Sequence, residues 1–70
     1  MNPTEIEARL LGAFRASLDV PELAPEDDVF SRGTNSIAIA KAIVAAAEAG
    51  VAVSIAGVYE HRSVRRIAAA

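Results

Sequence analysis

Apolar residues recur every three to four positions along much of this chain, the spacing of one face of an α-helix. Ile6, Leu10, Phe14 and Leu18 form the first such face. Thr4 followed by Glu7 in "TEIE" has the form of a capping box and predicts the helix start there. Pro21 predicts its stop, because proline lacks an N–H and clashes with the preceding turn. A second run covers Ser36 to Ala49, with Ile39, Ile43 and Ala46/Ala47 on one stripe and Ile37 and Val44 at its flanks. Asn35 or Ser36 supplies its N-cap, and Gly50 suits the position beyond its end. Ser54 then predicts a short helix over about residues 55–60, interrupted by Gly57, and Ser63 caps a last helix with Val64 and Ile67 inward.

Between the first two helices lies "DVPELAPEDDVFSRGTN", residues 19–35. Loops longer than about 12–15 residues are uncommon in compact domains and are often functional. Val20, Leu23, Val29 and Phe30 are expected to pin it across the bundle. Val51 and Val53 alternate with Ala52 but have no partner strand, so they read as an extended linker that buries both valines. The predicted class is all-α: a small four-helix bundle with a long first loop and a short third helix, in a single domain over residues 1–70. Phe14, Phe30, Ile39, Ile43, Val53 and Ile67 are the expected core.

Composition narrows the chemistry. The chain contains no cysteine, which excludes disulfides and zinc–thiolate sites and fits a reducing cytoplasm. No apolar run approaches the roughly 20 residues that cross a bilayer, and the N-terminus lacks the order of a secretory signal. These features lead us to expect a soluble, cytoplasmic protein that makes no membrane contact. Charge is uneven: residues 1–30 hold seven carboxylates against Arg9 and Arg15, whereas residues 31–70 hold five basic side chains against Glu48 and Glu60. The segment "HRSVRR" could attract a phosphate or an acidic partner; a cationic last helix near its own C-terminal dipole is the favoured reading. "PEDD" reads as a solvated turn, since it lacks the patterned oxygen ligands of a metal loop.

Nothing in the sequence supports an enzyme. His61 is the sole histidine and reads as a helix-boundary residue. Paired carboxylates on one helix face are absent. "RGTN" is too short for a phosphate-binding glycine loop and lacks its lysine. A helix-turn-helix DNA binder using "HRSVRR" conflicts with the negative net charge, so no nucleic-acid partner is expected. Ser36 has two readings. It can be an ordinary helix cap, or a modification site whose added phosphate would sit by free N–H groups at the helix start.

Taken together, "LLGAFRASLDV", "DDVFSRGTNSI" and "AGVAVSIAGVYEHRSVRRIA" shift the balance. The first resembles the opening helix and exit of the carrier proteins of nonribosomal peptide and polyketide synthesis. The second resembles their acidic, Phe, Gly-x-Asp-Ser-Leu signature. The third resembles their Gly-Val, Phe-Glu-His-Pro-Thr-Val and closing-helix pattern. The likeness runs in order over about residues 4–69.

The resemblance implies a non-catalytic carrier that holds intermediates as thioesters on a covalent 4'-phosphopantetheine arm derived from coenzyme A. Ser36 matches the serine that receives the arm, within a motif of Gly33, Thr34, Asn35 and Ile37. Asn35 stands where an aspartate is usual, Tyr59 where a phenylalanine is usual, Arg62 in place of a proline, and Ser63 in place of a threonine. The implied partners are a phosphopantetheinyl transferase, an adenylating or acylating enzyme, and downstream condensing or tailoring enzymes. The carrier itself is expected to be a monomer. Fatty-acid-type carriers have strongly acidic second helices; here that helix carries only Lys41 and Glu48, which is more similar to peptidyl carriers. A polyketide-type acyl carrier is the alternative, and a helical interaction module without a prosthetic group a distant one. The chain reads equally as a free-standing carrier or as one domain of a larger protein. Ile37, Ala40, Ile55 and Ala56 are expected to form an apolar partner-binding patch, with an inward-packed Ile55 as the opposing reading.

Overall fold

The computed structural model describes residues 1–70. It contains four α-helices, α1 (Pro3–Leu18), α2 (Ser36–Glu48), α3 (Ile55–His61) and α4 (Val64–Ala69), with a 3-10 turn over Val29–Arg32 inside the first connection. The expected all-α bundle with a short third helix is therefore present. α1 packs most extensively on α2 and then on α4, while the contact between α2 and α3 is small.

The start of α1 differs from the expected capping box. Asn2 is the N-cap: its side-chain oxygen accepts from the Glu5 N–H at 2.8 Å, and Pro3 occupies the first helical position. Proline there loses no intrahelical bond and arrives with helical φ, so Asn-Pro outcompetes Thr4. Glu7 is released from capping and pairs with Arg65 at 3.0 Å. The helix also ends without help from Pro21. Asp19 adopts a left-handed conformation (φ 57) and donates its N–H to the Arg15 carbonyl, two residues before the proline. At the far end of α2, Gly50 is left-handed (φ 88), as its position predicts, and Arg9 donates to the Ala49 carbonyl at 2.6 Å. α3 is continuous through Gly57, whose N–H is taken by the Ser54 hydroxyl at 2.9 Å. The Ser63 cap of α4 is as expected.

The core draws on the connections as well as the helices. Of its twelve buried apolar residues, Val20, Leu23 and Val29 come from the first connection and Val51 from the second. The expected core is corrected in part: Phe14 and Ile39 are buried, but Phe30, Ile43, Val53 and Ile67 are only half-buried at its edge. Leu10, Ala42, Ala46, Val58 and Val64 fill the centre instead. The buried alanines let α1 approach α2 closely, so the inward stripe of α2 runs along Ile39, Ala42 and Ala46 and leaves Ile43 to one side.

The first connection is bound to the α3–α4 junction. Val29 donates its N–H to the Arg62 carbonyl at 2.8 Å, and Arg65 donates to the Pro25 carbonyl at 2.9 Å. Asp28 and Ser63 form an isolated antiparallel bridge. Arg15 ties the same segment back to α1, its Nε donating to the Leu23 carbonyl at 2.8 Å.

Because Ile39 is 1% exposed, Ile39→Ala should destabilise the domain by about 2–5 kcal/mol. Ile43→Ala should cost clearly less. Chemical denaturation of the two variants measures this order, and a larger loss for Ile43→Ala would reverse the assigned face.

Candidate functional site

The residues singled out by the sequence lie at the start of α2 and the start of α3. Asp28 caps the 3-10 turn by accepting from the Phe30 N–H at 2.8 Å. Gly33 leaves that turn in a left-handed conformation (φ 71), which a side chain rarely adopts. The Thr34 hydroxyl donates to the Val29 carbonyl and folds the segment back on itself. Asn35 then caps α2, accepting from the Ala38 N–H at 2.9 Å.

This division of labour decides the role left to Ser36. It occupies the first position inside the helix, is exposed, and makes no side-chain hydrogen bond within the chain, because the capping acceptor belongs to Asn35. The backbone N–H groups of Ser36 and Ile37 have no acceptor in the protein. A hydroxyl placed there is free to carry a group, and a phosphate on it would face unpaired N–H donors at the positive end of α2. The donor set therefore fits a phosphodiester-linked group.

Both helix starts expose apolar side chains. Ile37 is 68% exposed and Ile55 57% exposed, so Ile55 does not belong to the core. Ala40 and Ala56 are also exposed. Ala40 lies one turn beyond Ser36 on the same side of α2. His61 lines clefts to which Ser36 does not contribute. The basic segment is largely occupied internally: Arg62 pairs with Asp28 at 2.8 Å, and Arg65 with Glu7 at 3.0 Å and Glu26 at 3.4 Å. Of its arginines, only Arg66, in the last turn of α4, fits the expected role beside a C-terminal dipole.

The phosphopantetheine attachment site family matches residues 8–70. The chain belongs to the phosphopantetheine-dependent carrier proteins. Carriers of this family bear a covalent 4'-phosphopantetheine, are generally non-catalytic, and are modified by phosphopantetheinyl transferases. No curated protein and no solved structure matched the chain. No helix of this carrier is long and apolar enough to cross a membrane.

Sequence reasoning missed one cluster in this carrier. Phe30 and Tyr59 stack with ring centroids 4.8 Å apart, and the Arg62 guanidinium lies 4.7 Å from the Phe30 centroid while its Nε donates to Asp28. The only sequence signal was that Tyr59 and Arg62 depart from the pattern the chain otherwise resembles. The Arg62 hydrogen bond, and next the Phe30 N–H, hold the Asp28 carboxyl below its ordinary pKa of 3.8. A depressed carboxylate pKa contributes stability above the unfolded-state value, and that contribution is lost as pH falls through the folded-state value.

Two measurements follow from this geometry. Asn35→Ala should cost about 0.5–2 kcal/mol in a denaturant titration, whereas Ser36→Ala should be close to neutral; equal losses would return the cap to Ser36. Below pH 3.8 the wild type should lose stability more steeply than Asp28→Asn, and parallel acid titration curves would show that Arg62 does not stabilise the carboxylate.

Proposed function

We propose that Ser36 carries the phosphopantetheine arm and that the protein is a peptidyl carrier of nonribosomal or hybrid biosynthesis. The observation that carries the attachment is the free, exposed Ser36 hydroxyl beside an N-cap already supplied by Asn35. In the loading step the Ser36 oxygen forms a bond to the inner phosphorus of the pantetheine side of coenzyme A. The pyrophosphate bond breaks, adenosine 3',5'-bisphosphate leaves, and the hydroxyl proton passes to the transferase or to water. The arm, once attached, supplies a terminal thiol that holds aminoacyl or peptidyl groups as thioesters. The protein's own part is to present that oxygen at a rigid helix start and to offer the Ser36 and Ile37 N–H groups to the phosphate.

The peptidyl reading is supported by α2, whose only charges are Lys41 and Glu48, both exposed. Ile37, Ala40, Ile55 and Ala56 form the partner-binding patch in this reading, engaged by the transferase, then by an adenylating or acylating enzyme, then by condensing or tailoring enzymes. Contacts of this kind depend weakly on salt, unlike those of an acidic docking helix.

Incubation with coenzyme A and a broad phosphopantetheinyl transferase should add one phosphopantetheine to the wild type by intact mass and none to Ser36→Ala. Addition to the alanine variant rules out Ser36. Loading of the modified protein by an adenylating enzyme, and not by a polyketide acyltransferase, distinguishes the peptidyl carrier from an acyl carrier. Ala40→Glu and Ile55→Asp should each slow loading while leaving the fold intact; wild-type rates in both folded variants eliminate the patch.

A further inference from the structure

α3 is held lightly by its own packing. Val58 is its single fully buried side chain, and its contact with α2 is small. Its first turn is exposed at Ile55 and Ala56. Its last turn is held by the side-chain cluster described above. Tyr59 stacks on Phe30, and Arg62 reaches both the Phe30 ring and Asp28. Asp28 and Phe30 begin the turn that continues through Gly33 and Thr34 to Ser36. α3 is thus tied to the segment just ahead of the serine.

We propose that Arg62 is a positioning residue that clasps α3 to this segment and so fixes the two halves of the recognition surface, the start of α2 and the start of α3, relative to each other. The proposal rests on the reading above that both helix starts face the modifying and loading enzymes. Arg62 is suited to the task because its backbone and its side chain span the same gap. Its N–H donates to the Val58 carbonyl and its carbonyl accepts from Val29, while its guanidinium engages Asp28 and Phe30. It holds a left-handed conformation (φ 67) that is strained for a residue with a long side chain. Proline, which cannot adopt that φ and has no N–H, could make none of the side-chain contacts. The Arg62–Asp28 pair is half exposed and alone would be weak. The aromatic stack and the cation over its face add contacts that screening by salt affects less.

Arg62→Asn tests the clasp, because asparagine tolerates the left-handed conformation and removes only the guanidinium contacts. Hydrogen exchange at α3 amides such as Val58 should accelerate about tenfold, with α1 amides such as Phe14 unchanged. Tyr59 is the only tyrosine and there is no tryptophan, so intrinsic fluorescence reports the stack directly, and its anisotropy should fall. With coenzyme A and the transferase, KM for the variant should rise about tenfold while kcat is kept. Asp28→Asn, which retains an acceptor for the Phe30 N–H, should move every readout in the same direction by less.

Unchanged α3 exchange, or equal acceleration in α1 and α3, overturns the clasp. Selective freeing of α3 with KM unchanged for both the transferase and the loading enzyme overturns positioning by removing α3 from the recognition surface, while the attachment at Ser36 stands. A wild type that is never modified at Ser36 overturns the attachment reading, and the positioning role with it.

Discussion

Val29 donates its N–H to the Arg62 carbonyl at 2.8 Å, and around that bond the first connection and the α3–α4 junction become one layer of the structure. The connection is long and holds two prolines, and this bond helps to hold it across the bundle where Val20, Leu23 and Val29 enter the core. A 70-residue chain buries a modest share of its surface and has no spare core. Helix faces alone supply Leu10, Ala13, Phe14, Ile39, Ala42, Ala46, Val58 and Val64. The connections must provide the rest, and they can do so only if their backbone groups are satisfied where they cross the bundle. The Asp28–Ser63 bridge, the Arg65–Pro25 bond and the Arg15–Leu23 bond meet that requirement.

The same constraint places Ser36. The segment after Val29 is closed by the Thr34 hydroxyl on the Val29 carbonyl, which delivers Asn35 in an extended conformation at the mouth of α2. Asparagine and serine are comparable caps, and which of two adjacent candidates acts is decided by where the chain turns. Here it turns at Asn35. The capping function and the free hydroxyl are therefore carried by neighbouring side chains, and a modified Ser36 need not give up a bond on which the helix depends.

Much of this was legible in the sequence, for reasons that differ by element. The four helices followed from period and caps, and Ser54, Ser63 and Gly50 act as their local chemistry predicts. The start of α1 departs from the expected one because Thr4/Glu7 and Asn2-Pro3 are both valid signals, and with Asn2 as the cap Glu7 is left to pair with Arg65, far along the chain. The core was misread for a related reason. Hydrophobicity favours Ile43 over Ala42 and Ala46, but a close approach of α1 to α2 gives the interior to the small side chains. The clasp of Asp28, Phe30, Tyr59 and Arg62 spans 34 residues and has no local period to reveal it.

Charge shows most clearly how folding changes what a sequence implies. The acidic first half and basic second half invite the idea of a cationic surface waiting for an anionic partner. In the folded chain Arg65 meets Glu7 and Glu26, and Arg62 meets Asp28, each joining the basic half to the acidic one. Arg32 turns back to Glu22 and Asp27 in the same way. Exposed pairs of this kind contribute little individually to stability, but they consume opposing charge that would otherwise be free to steer association. The exposed neighbours of Ser36 on α2 are Ile37 and Ala40, with Lys41 as the one positive charge of that helix, and Ile55 is exposed at the start of α3. On the proposed reading of these helix starts as a partner-binding surface, discrimination falls to shape, and shape requires that α2 and α3 keep a fixed relation although their mutual contact is small. The long-range contacts that remove charge from the surface are thus, at Asp28 and Arg62, the same contacts that we propose supply that fixed relation.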